Sequence, residues 1–257
     1  MQPEQYAKMR SEEERHWWYR GNRAMVLALL AGRFPADRPL RWLDVACGTG
    51  GNLSDPRRLL GREAVTVGID LDWEALEMTR RRGVTHVVRG TLDHLPFGDG
   101  EFDLVTCFEA LYHEAVRDWR GALVGFARVL RPGGLLLSRE PAFEALRGSH
   151  DVVVKGARRF RVAEVREAAR AAGLRVVRCS YQNMVTFFPA LVMRSWQRWR
   201  GREGEGHEAD FDKGGGGGGV VGGVLAGWLG WEGRVLRVMR LPVGSSVVCL
   251  AERGGGG

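Results

Sequence analysis

The chain has 257 residues and a formal net charge of +7, and 44% of its residues are hydrophobic, which suits one large α/β domain with a sizeable core. Its basic residues are almost all arginines scattered along the chain, so they do not form the clustered stripe of a nucleic-acid-binding protein. The four cysteines stand far apart, with no CxxC or Cys/His cluster, which argues against a zinc site and favours reduced, buried thiols.

The first fifteen residues are too polar for a signal peptide. No apolar run approaches the roughly 20 residues that are needed to span a bilayer. We therefore expect a soluble, cytoplasmic protein with at most peripheral membrane contact and no nucleic-acid partner.

Strand-like and helix-like segments alternate along the chain, which is typical of βαβ units on a parallel sheet. Seven segments have the pattern of strands: Leu40–Cys47, Ala64–Asp70, Val84–Arg89, Phe102–Phe108, Leu135–Ser138, Leu174–Tyr181 and Ser246–Ala251. One helix is predicted from an N-cap at Asp72 to about Arg82. A second carries the apolar residues Trp119, Leu123, Phe126 and Leu130 at helical spacing and is stopped by Pro132. A third is predicted over residues 162–172.

These elements predict an α/β fold with a Rossmann-like, doubly wound, seven-stranded sheet that is mostly parallel and has an antiparallel last strand. We divide the chain into an N-terminal helical lid (1–35), a ligand-binding core (36–188), a helical and flexible insert (189–240) and the last strand with a glycine tail (241–257). Six glycines in the insert, Gly214–Gly219, predict a mobile loop, and the tail Gly254–Gly257 should fray.

The segment Arg41–Asn52, RWLDVACGTGGN, joins an apolar strand to a glycine-rich turn, as in nucleotide-binding α/β folds. The position three beyond Gly50 is Leu53, so the dinucleotide pattern GxGxxG is incomplete. A pyrophosphate needs that third glycine and a bare helix N-terminus. The loop therefore favours a ligand that has an adenosine but no phosphates.

Asp70 ends the second predicted strand, twenty residues beyond Gly50. A carboxylate at that distance can accept hydrogen bonds from both ribose hydroxyls of a bound nucleoside. The alternative is that Asp70 only caps the next helix, a role for which Asp72 competes.

Three segments carry a resemblance to a known family: LDVACGTG, the LPF-x-DG-x-FDLV frame within residues 89–105, and RVLRPGGLLL. Over residues 40–140 the chain resembles bacterial class I S-adenosylmethionine-dependent methyltransferases that act on small molecules, of the kind grouped as methyltransferase types 11 and 25. The resemblance implies S-adenosylmethionine as the cofactor and no metal.

The resemblance also implies a set of cofactor-binding residues. Asp44 would bind the methionine amino group, Gly48 and Gly50 would let the backbone approach the ligand, Asp70 would bind the ribose, and Leu71 would pack on the adenine. Ala46 stands where many members have glycine. Thr91 stands where many members have an aspartate that binds the adenine. We therefore assign the adenine contact to Thr91 and to the backbone of Leu92. Phe108 and Arg20 complete the set.

The exit of the fourth strand, FEALYHE, should lie beside the reactive methyl group, at the carboxyl ends of the strands. A base is needed there only if the acceptor must lose a proton. His113 is the candidate, with Glu109 or Glu114 to orient it. The alternative is that His113 is a surface residue at the start of a helix.

The N-terminal segment ERHWWYRGNR predicts a lid whose Arg20 or Arg23 reaches the methionine carboxylate, or else a helix packed on the sheet edge. A basic loop over residues 138–160, which carries His150, Asp151, Lys155, Arg158 and Arg159, could bind an anionic acceptor or form a solvated connection. Aromatic residues of the insert could cover a lipophilic acceptor, touch a membrane surface or pack on the sheet.

We therefore predict methyl transfer from S-adenosylmethionine to an oxygen, nitrogen or carbon atom of a small-molecule acceptor, anionic or lipophilic. Two alternatives stay open at this point: a non-catalytic S-adenosylmethionine-binding regulator or partner subunit, and an NAD-dependent Rossmann oxidoreductase, which the incomplete glycine pattern disfavours. Methylation of nucleic acid is disfavoured because the fourth-strand exit has no NPPY-like segment and Cys107 follows Thr106 instead of proline.

Overall fold

A computed structural model describes residues 10–34 (except 11 and 14), 38–54, 64–200 and 219–255. The predicted mobile loop falls outside these ranges except for Gly219, and so do the last two residues of the predicted glycine tail.

The core is a seven-stranded sheet, as predicted. Its strands are β1 (Leu40–Val45), β2 (Ala64–Asp70), β3 (His86–Arg89), β4 (Phe102–Phe108), β5 (Leu130–Pro141), β6 (Leu174–Gln182) and β7 (Ser246–Arg253). Their spatial order is β3-β2-β1-β4-β5-β7-β6. The first five strands pair in parallel, and β7 runs antiparallel between β5 and β6, so the predicted Rossmann-like sheet with an antiparallel last strand is confirmed.

Strand bounds differ from the prediction mainly at β5. We expected a strand over Leu135–Ser138 after a break at Pro132, but β5 starts at Leu130, directly after the preceding helix. Leu130 pairs with Phe102, and the register then shifts before Leu135 pairs with Leu104. A β-bulge therefore takes up the Pro-Gly-Gly segment inside the strand, where the sequence indicated only a helix stop.

The helices are α1 (Trp17–Leu30), α2 (Trp73–Arg80), α3 (Trp119–Val129), α4 (Ser149–Val153), α5 (Val162–Ala171), α6 (Met184–Trp199) and α7 (Val220–Val238), with one 3-10 turn at Glu144–Leu146. The predicted N-cap of α2 is confirmed, since the Asp72 carboxylate accepts a hydrogen bond from the Glu74 N–H at 3.0 Å. The helix predicted before β5 ends at Val129, one residue before Leu130.

Helices cover both faces of the sheet, and each face has its own apolar core. On one face, Trp119, Phe126 and Val165 of α3 and α5 pack against Val105 and Leu136. The other face is covered by α1, α2 and α7, where buried side chains of the three helices pack against strand residues: Met25, Leu29, Leu76, Leu229, Trp42, Leu104 and Leu137. All four cysteines are buried and reduced, as predicted.

The N-terminal helix α1 and the insert helix α7 pack directly on each other, although about 200 residues separate them in the sequence. Small residues permit the close approach. A Cβ added to Gly21 would lie 2.6 Å from Leu229, and one added to Gly233 would lie 2.8 Å from the Cα of Met25. The segments that we assigned to a lid and to an insert therefore form one helical layer.

Helix α7 also caps helix α6. The Glu232 side chain is 1% exposed, and its carboxylate accepts hydrogen bonds from the N–H groups of Asn183 and Met184. These groups belong to the first turn of α6, where backbone donors have no partner within the helix. No helix in the described part of the chain is both long enough and apolar enough to cross a membrane.

We predict that Gly233→Ala destabilises the protein, because its methyl group would meet the α1 backbone, which cannot rotate away as a side chain can. The expected loss is about 1–3 kcal/mol in the free energy of unfolding, measured by urea titration. Gly227→Ala on the same helix is the matched control, since a Cβ there meets nothing within 4 Å and alanine favours the helix. Equal stability of the two variants would contradict the close α1–α7 packing.

Candidate cofactor and acceptor site

The glycine-rich turn after β1 has an unusual backbone. Ala46, Gly48 and Gly50 all have positive φ angles, of 57°, 55° and 73°. Gly50 has a second constraint, because a Cβ there would lie 2.7 Å from the Thr79 side chain. The Thr79 hydroxyl donates to the Gly48 carbonyl at 2.9 Å, so helix α2 holds the turn from behind. Ala46 carries the left-handed conformation without being glycine, which costs about 1–2 kcal/mol.

Asp70 joins the end of β2 to this turn. One carboxylate oxygen accepts from the Gly48 N–H at 2.9 Å, and the other accepts from the Asp72 N–H at 3.0 Å. Burial raises the pKa of Asp70, and the backbone donors oppose the shift. Since Asp72 caps α2, the capping role left open for Asp70 belongs to its neighbour.

Asp44 lies at the end of β1 and is 3% exposed. The Thr106 hydroxyl donates to its carboxylate at 2.5 Å and accepts from the Trp42 indole N–H at 2.8 Å. Burial raises the pKa of Asp44 to about 7, although hydrogen bonds from Thr106 and Asn52 favour the ionised form. Two carboxylates that end neighbouring strands thus flank the glycine-rich turn.

Sequence reasoning missed Glu13, which attaches the N-terminal segment to the same turn. Its carboxylate accepts from the Thr49 hydroxyl at 2.8 Å and pairs with Arg82, and both Glu13 and Arg82 are nearly buried. Burial raises the pKa of Glu13, and the charge of Arg82 opposes the shift. Glu13 stands in an acidic run that reads as a solvated surface, so no local signal marks it.

The residues expected at the adenine are open to solvent or partly so. Leu71 is 52% exposed beyond the end of β2, and Thr91 is exposed in a short bridge with His94. Leu92 packs partly against the core beside them. The structure brings Leu71, Thr91 and Leu92 to the carboxyl ends of β2 and β3.

The carboxyl ends of β4 and β5 hold a charged group that the sequence did not indicate. The Arg139 guanidinium lies 5.1 Å from the centre of the Phe108 ring and 3.2 Å from the Glu109 carboxylate. Glu109 has a positive φ of 53°, a strained conformation that is often found at functional sites. Burial and the negative charge of Glu109 raise the pKa of Tyr19 on α1, and the charge of Arg139 opposes the shift.

Glu140, also missed, holds the loop that follows β4. Its carboxylate is 1% exposed and accepts from the N–H groups of Ala110, Leu111 and Tyr112 at 3.1–3.4 Å. Burial raises the pKa of Glu140 to about 8 in spite of these donors. A buried acid among polar segments gives no sequence signal, because its partners are backbone groups.

Among the described residues, no hydrogen bond joins His113 to Glu109 or Glu114, so the orienting role of these acids stays a prediction. Glu109 pairs with Arg139, and Glu114 lies 3.5 Å from Lys155. The Nδ1 atom of His113 accepts from the Ala115 N–H at 3.1 Å, so it stabilises a turn. Burial lowers the pKa of His113. No contact in the described part of the chain prepares His113 to take a proton.

The two arginines proposed for the methionine carboxylate have different surroundings. Arg20 is exposed, and Arg23 donates to the Glu13 carbonyl. The packing of α1 on α7 and on the sheet favours the alternative of a packed helix, which still covers the ends of β4 and β5 through Tyr19.

The basic loop after β5 uses its arginines internally. Arg159 forms a two-point pair with the buried Asp151 at 2.8 and 3.0 Å, and Arg158 donates to the carbonyls of Leu111 and Val116. These contacts fix the loop to the strand-four exit. They favour the structural interpretation over anion binding for both arginines.

A small cavity lies between α1 and the sheet, beside the Arg139 group. Its polar lining comes from Asn22, Arg139 and Gln182, and its apolar lining includes Met25 and Phe108. Two buried atoms of residues that line this cavity have no hydrogen-bond partner among the described residues, the Nε of Arg139 and the Oε1 of Gln182.

The amide orientations in this cavity are fixed by their neighbours. Asn22 donates from Nδ2 to the Trp18 carbonyl at 2.8 Å, so its Oδ1 is the acceptor for Gln182 Nε2 at 3.4 Å. The Gln182 Oε1 atom is therefore an acceptor, while Arg139 Nε is a donor.

The chain is similar to known methyltransferases. Residues 43–138 match the family described as a methyltransferase domain. The chain is 35% identical over 119 residues to a ubiquinone/menaquinone biosynthesis C-methyltransferase of Cronobacter sakazakii, covering 42% of this chain and 47% of that protein. It is 33% identical over 155 residues to a ubiquinone biosynthesis O-methyltransferase of Thiobacillus denitrificans, covering 51% and 63%.

Solved structures share the fold. A complex between the Haloferax volcanii Trm112 methyltransferase activator and a methyltransferase matches with a TM-score of 0.61 at 22% identity, over 98% of this chain and 95% of that chain. Geranyl diphosphate C-methyltransferase from Streptomyces coelicolor matches with a TM-score of 0.58 at 16% identity, over 92% and 80%.

Residues 43–138 therefore match a methyltransferase domain, and the solved structures confirm the predicted Rossmann-like fold. These matches support the predicted S-adenosylmethionine-dependent methyltransferase family and its cofactor. It spans less than two thirds of the length of the curated relatives that it matches, from 31% to 63%.

We predict that Glu140 makes the stability fall with rising pH. Its pKa is about 8 in the folded protein and near 4.5 when unfolded, so the folded state binds the proton more tightly. The resulting stability is complete below about pH 4.5 and is lost as the pH rises through about 8. Between pH 5 and 8, wild type should lose about 1–4 kcal/mol relative to Glu140→Gln in urea titrations.

Glu144→Gln is the control for this experiment. Glu144 lies nearby but its pKa is lowered by Arg147, so its contribution is lost only as the pH falls through that lowered value. The difference between wild type and Glu144→Gln should stay constant from pH 5 to 8. A constant difference for Glu140→Gln as well would contradict the buried, proton-binding carboxyl.

Proposed function

We propose that the protein transfers a methyl group from S-adenosylmethionine to a small-molecule acceptor. The observation that carries the proposal is the pair of carboxylates, Asp44 and Asp70, that flank the glycine-rich turn at the ends of neighbouring parallel strands. Buried acids suit a cationic amino acid and a ribose, whereas phosphates would be repelled. The NAD-dependent alternative has no support from the family match, which is to a methyltransferase domain.

Each cofactor-binding residue has a proposed role. Asp44 binds the methionine ammonium group, Asp70 binds the ribose hydroxyls, and the backbone of Ala46, Gly48 and Gly50 lines the approach. Leu71, Thr91 and Leu92 form the adenine pocket, and Phe108 lies towards the acceptor. Arg20, whose side chain is exposed, stays the proposed partner of the methionine carboxylate.

The proposed catalytic contribution of this chain is alignment and exclusion of water. S-adenosylmethionine supplies a methyl group that is already activated on a sulfonium, so positioning accounts for most of the effect. Helix α1 and Tyr19 cover the strand ends, and Glu140 fixes the loop beyond Phe108. His113 as general base stays a prediction. The strained Glu109 is the other acidic or basic group at this exit that an acceptor could meet.

We further propose that the acceptor carries a hydroxyl group, as an enol or a phenol does. The cavity has a volume of about 10 Å³, so it has room for a single oxygen and not for the body of the acceptor. Arg139 Nε offers one donor and Gln182 Oε1 offers one acceptor there, which is the complement of a hydroxyl group that enters from the acceptor or of one water molecule. A carboxylate would leave the Gln182 oxygen facing another oxygen. The C- and O-methyltransferases among the curated relatives agree with either carbon or oxygen as the methylated atom. A cytoplasmic location also stays a proposal.

Activity is tested by incubating the protein with labelled S-adenosylmethionine and a metabolite extract, followed by mass spectrometry of the labelled products. Methylation of a hydroxyl-bearing small molecule is expected. Cofactor binding without transfer to any compound would favour the alternative of a non-catalytic regulatory or partner subunit.

We predict that Asp70→Asn weakens binding of S-adenosylhomocysteine at least tenfold in isothermal titration calorimetry, because the amide loses an acceptor and a charge. Asp72→Asn is the matched control, since asparagine caps a helix as well as aspartate does. NAD should give no heat with either protein. An equal affinity of both variants would rule out Asp70 as the ribose ligand.

We also predict that S-adenosylmethionine binds more tightly as the pH rises from 6 to 7.5. With a pKa of about 7, Asp44 is mostly protonated at the lower pH and mostly ionised at the upper, and only the ionised form attracts the ligand ammonium. The affinity should rise about eightfold over this range. Asp44→Asn should bind weakly, with no such rise, and a rise that persisted in this variant would assign the titration to another group.

A further inference from the structure

Helix α7 exposes apolar side chains along its whole length. They comprise Val220 (87% exposed), Val221 (74%), Val224 (66%), Trp228 (42%), Trp231 (52%) and Val238 (79%). Single exposed apolar residues are common on protein surfaces, but a continuous apolar strip marks an interaction site.

The exposed residues form one strip because of the helical period. At 100° per residue, these six side chains fall within about 100° of one another around the axis. The opposite side of the helix is apolar too and is already occupied, since Ala226, Leu229 and Gly233 pack against α1. Helix α7 is therefore apolar on two faces, and only one of them is used inside the protein. At 19 residues the strip is about 28 Å long.

Among the residues that the structure describes, the charges beside the strip are all positive. Residues 201–218, which precede α7 and include five acidic residues, lie outside the described ranges. Arg234 and Arg237 are exposed on its flank, while the single acidic residue of α6 and α7 is Glu232, which is buried beneath α6. Arg240 follows the end of α7. Burial lowers the pKa of Arg178, and the positive charges of Arg240 and Arg33 lower it further. This end of the molecule is thus basic as well as apolar.

The positive charges beside the exposed strip of α7 indicate which kind of partner could bind there. Two copies of the chain that paired through this strip would bring the flanking arginines of both copies together, without acids to offset them. An anionic surface complements them. The two tryptophans, whose rings lie 5.3 Å apart, have the amphipathic rings that settle at the boundary between lipid headgroups and acyl chains.

We propose that the exposed strip of α7 docks the protein on an anionic lipid surface, with Trp228 and Trp231 in the headgroup boundary and Arg234 and Arg237 on acidic headgroups. The helix lies on the membrane and does not cross it, because its other face stays packed on α1. This inference is independent of the proposed methyl transfer.

The test is co-sedimentation of the full chain with two kinds of vesicle. One is pure phosphatidylcholine, and in the other about one third of the lipid is anionic phosphatidylglycerol. We expect binding to the anionic vesicles only, weakened at high salt. Trp228→Ser with Trp231→Ser should lower the partition at least tenfold, and Arg234→Gln with Arg237→Gln should lower it about fivefold for each arginine.

Matched controls come from other faces of the protein. Trp73→Ser removes a tryptophan of α2 that is 54% exposed. The double variant Arg117→Gln with Arg170→Gln removes two exposed arginines. Neither variant should alter lipid binding. Circular dichroism and the affinity for S-adenosylhomocysteine show whether each variant is folded. Two results overturn the proposal: no binding to anionic vesicles by wild type, or a dimer in sedimentation equilibrium that the Trp228 and Trp231 substitutions dissociate.

Discussion

The two hydrogen bonds to the Asp70 carboxylate determine the shape of the cofactor site. They tie the Gly48 N–H of the first loop and the Asp72 N–H at the start of α2 to a single side chain at the end of β2. The hydroxyl group of Thr79 on α2 donates a hydrogen bond to the Gly48 carbonyl, so α2 and the glycine-rich turn are joined directly as well. The glycine-rich turn is therefore held by side chains on both sides, before any ligand is considered, and its left-handed residues are kept in place by this support.

On the acceptor side, the same stabilising role falls to buried charges. Glu140 satisfies three backbone donors of the loop after β4, and Arg139 lies between Phe108 and Glu109. Burying such groups is costly unless their polar partners are present. Here the partners are mostly backbone groups of one loop, so that loop has little freedom to move away. The exit of β4, like the glycine-rich turn, is therefore held in place by contacts within the protein.

Most of the sheet and the cofactor side could be predicted because their signals are local. Asp72 and Glu74 are two residues apart, and the glycine turn with Asp70 has a spacing that a nucleoside imposes. The acceptor side could not be predicted, since Glu140 binds backbone groups 28–30 residues away and Arg139 meets Tyr19 across the fold. The β5 bulge was missed for a related reason: Pro132 stops a helix and also fits a bulged strand, and only the pairing with Phe102 distinguishes the two.

Helix α1 connects the two functional proposals physically. One face of α1 packs against Leu229 and Gly233 of α7, and another, through Asn22 and Met25, lines the cavity beside Arg139. The strip proposed to meet lipid is thus one helix away from the cavity proposed to hold the acceptor. Because the α1–α7 contact uses glycines with no spare space, a displacement of α7 has to move α1 as well. The two proposals therefore concern opposite sides of one packed helix, while Asp44 and Asp70 lie on strands away from the α1–α7 contact.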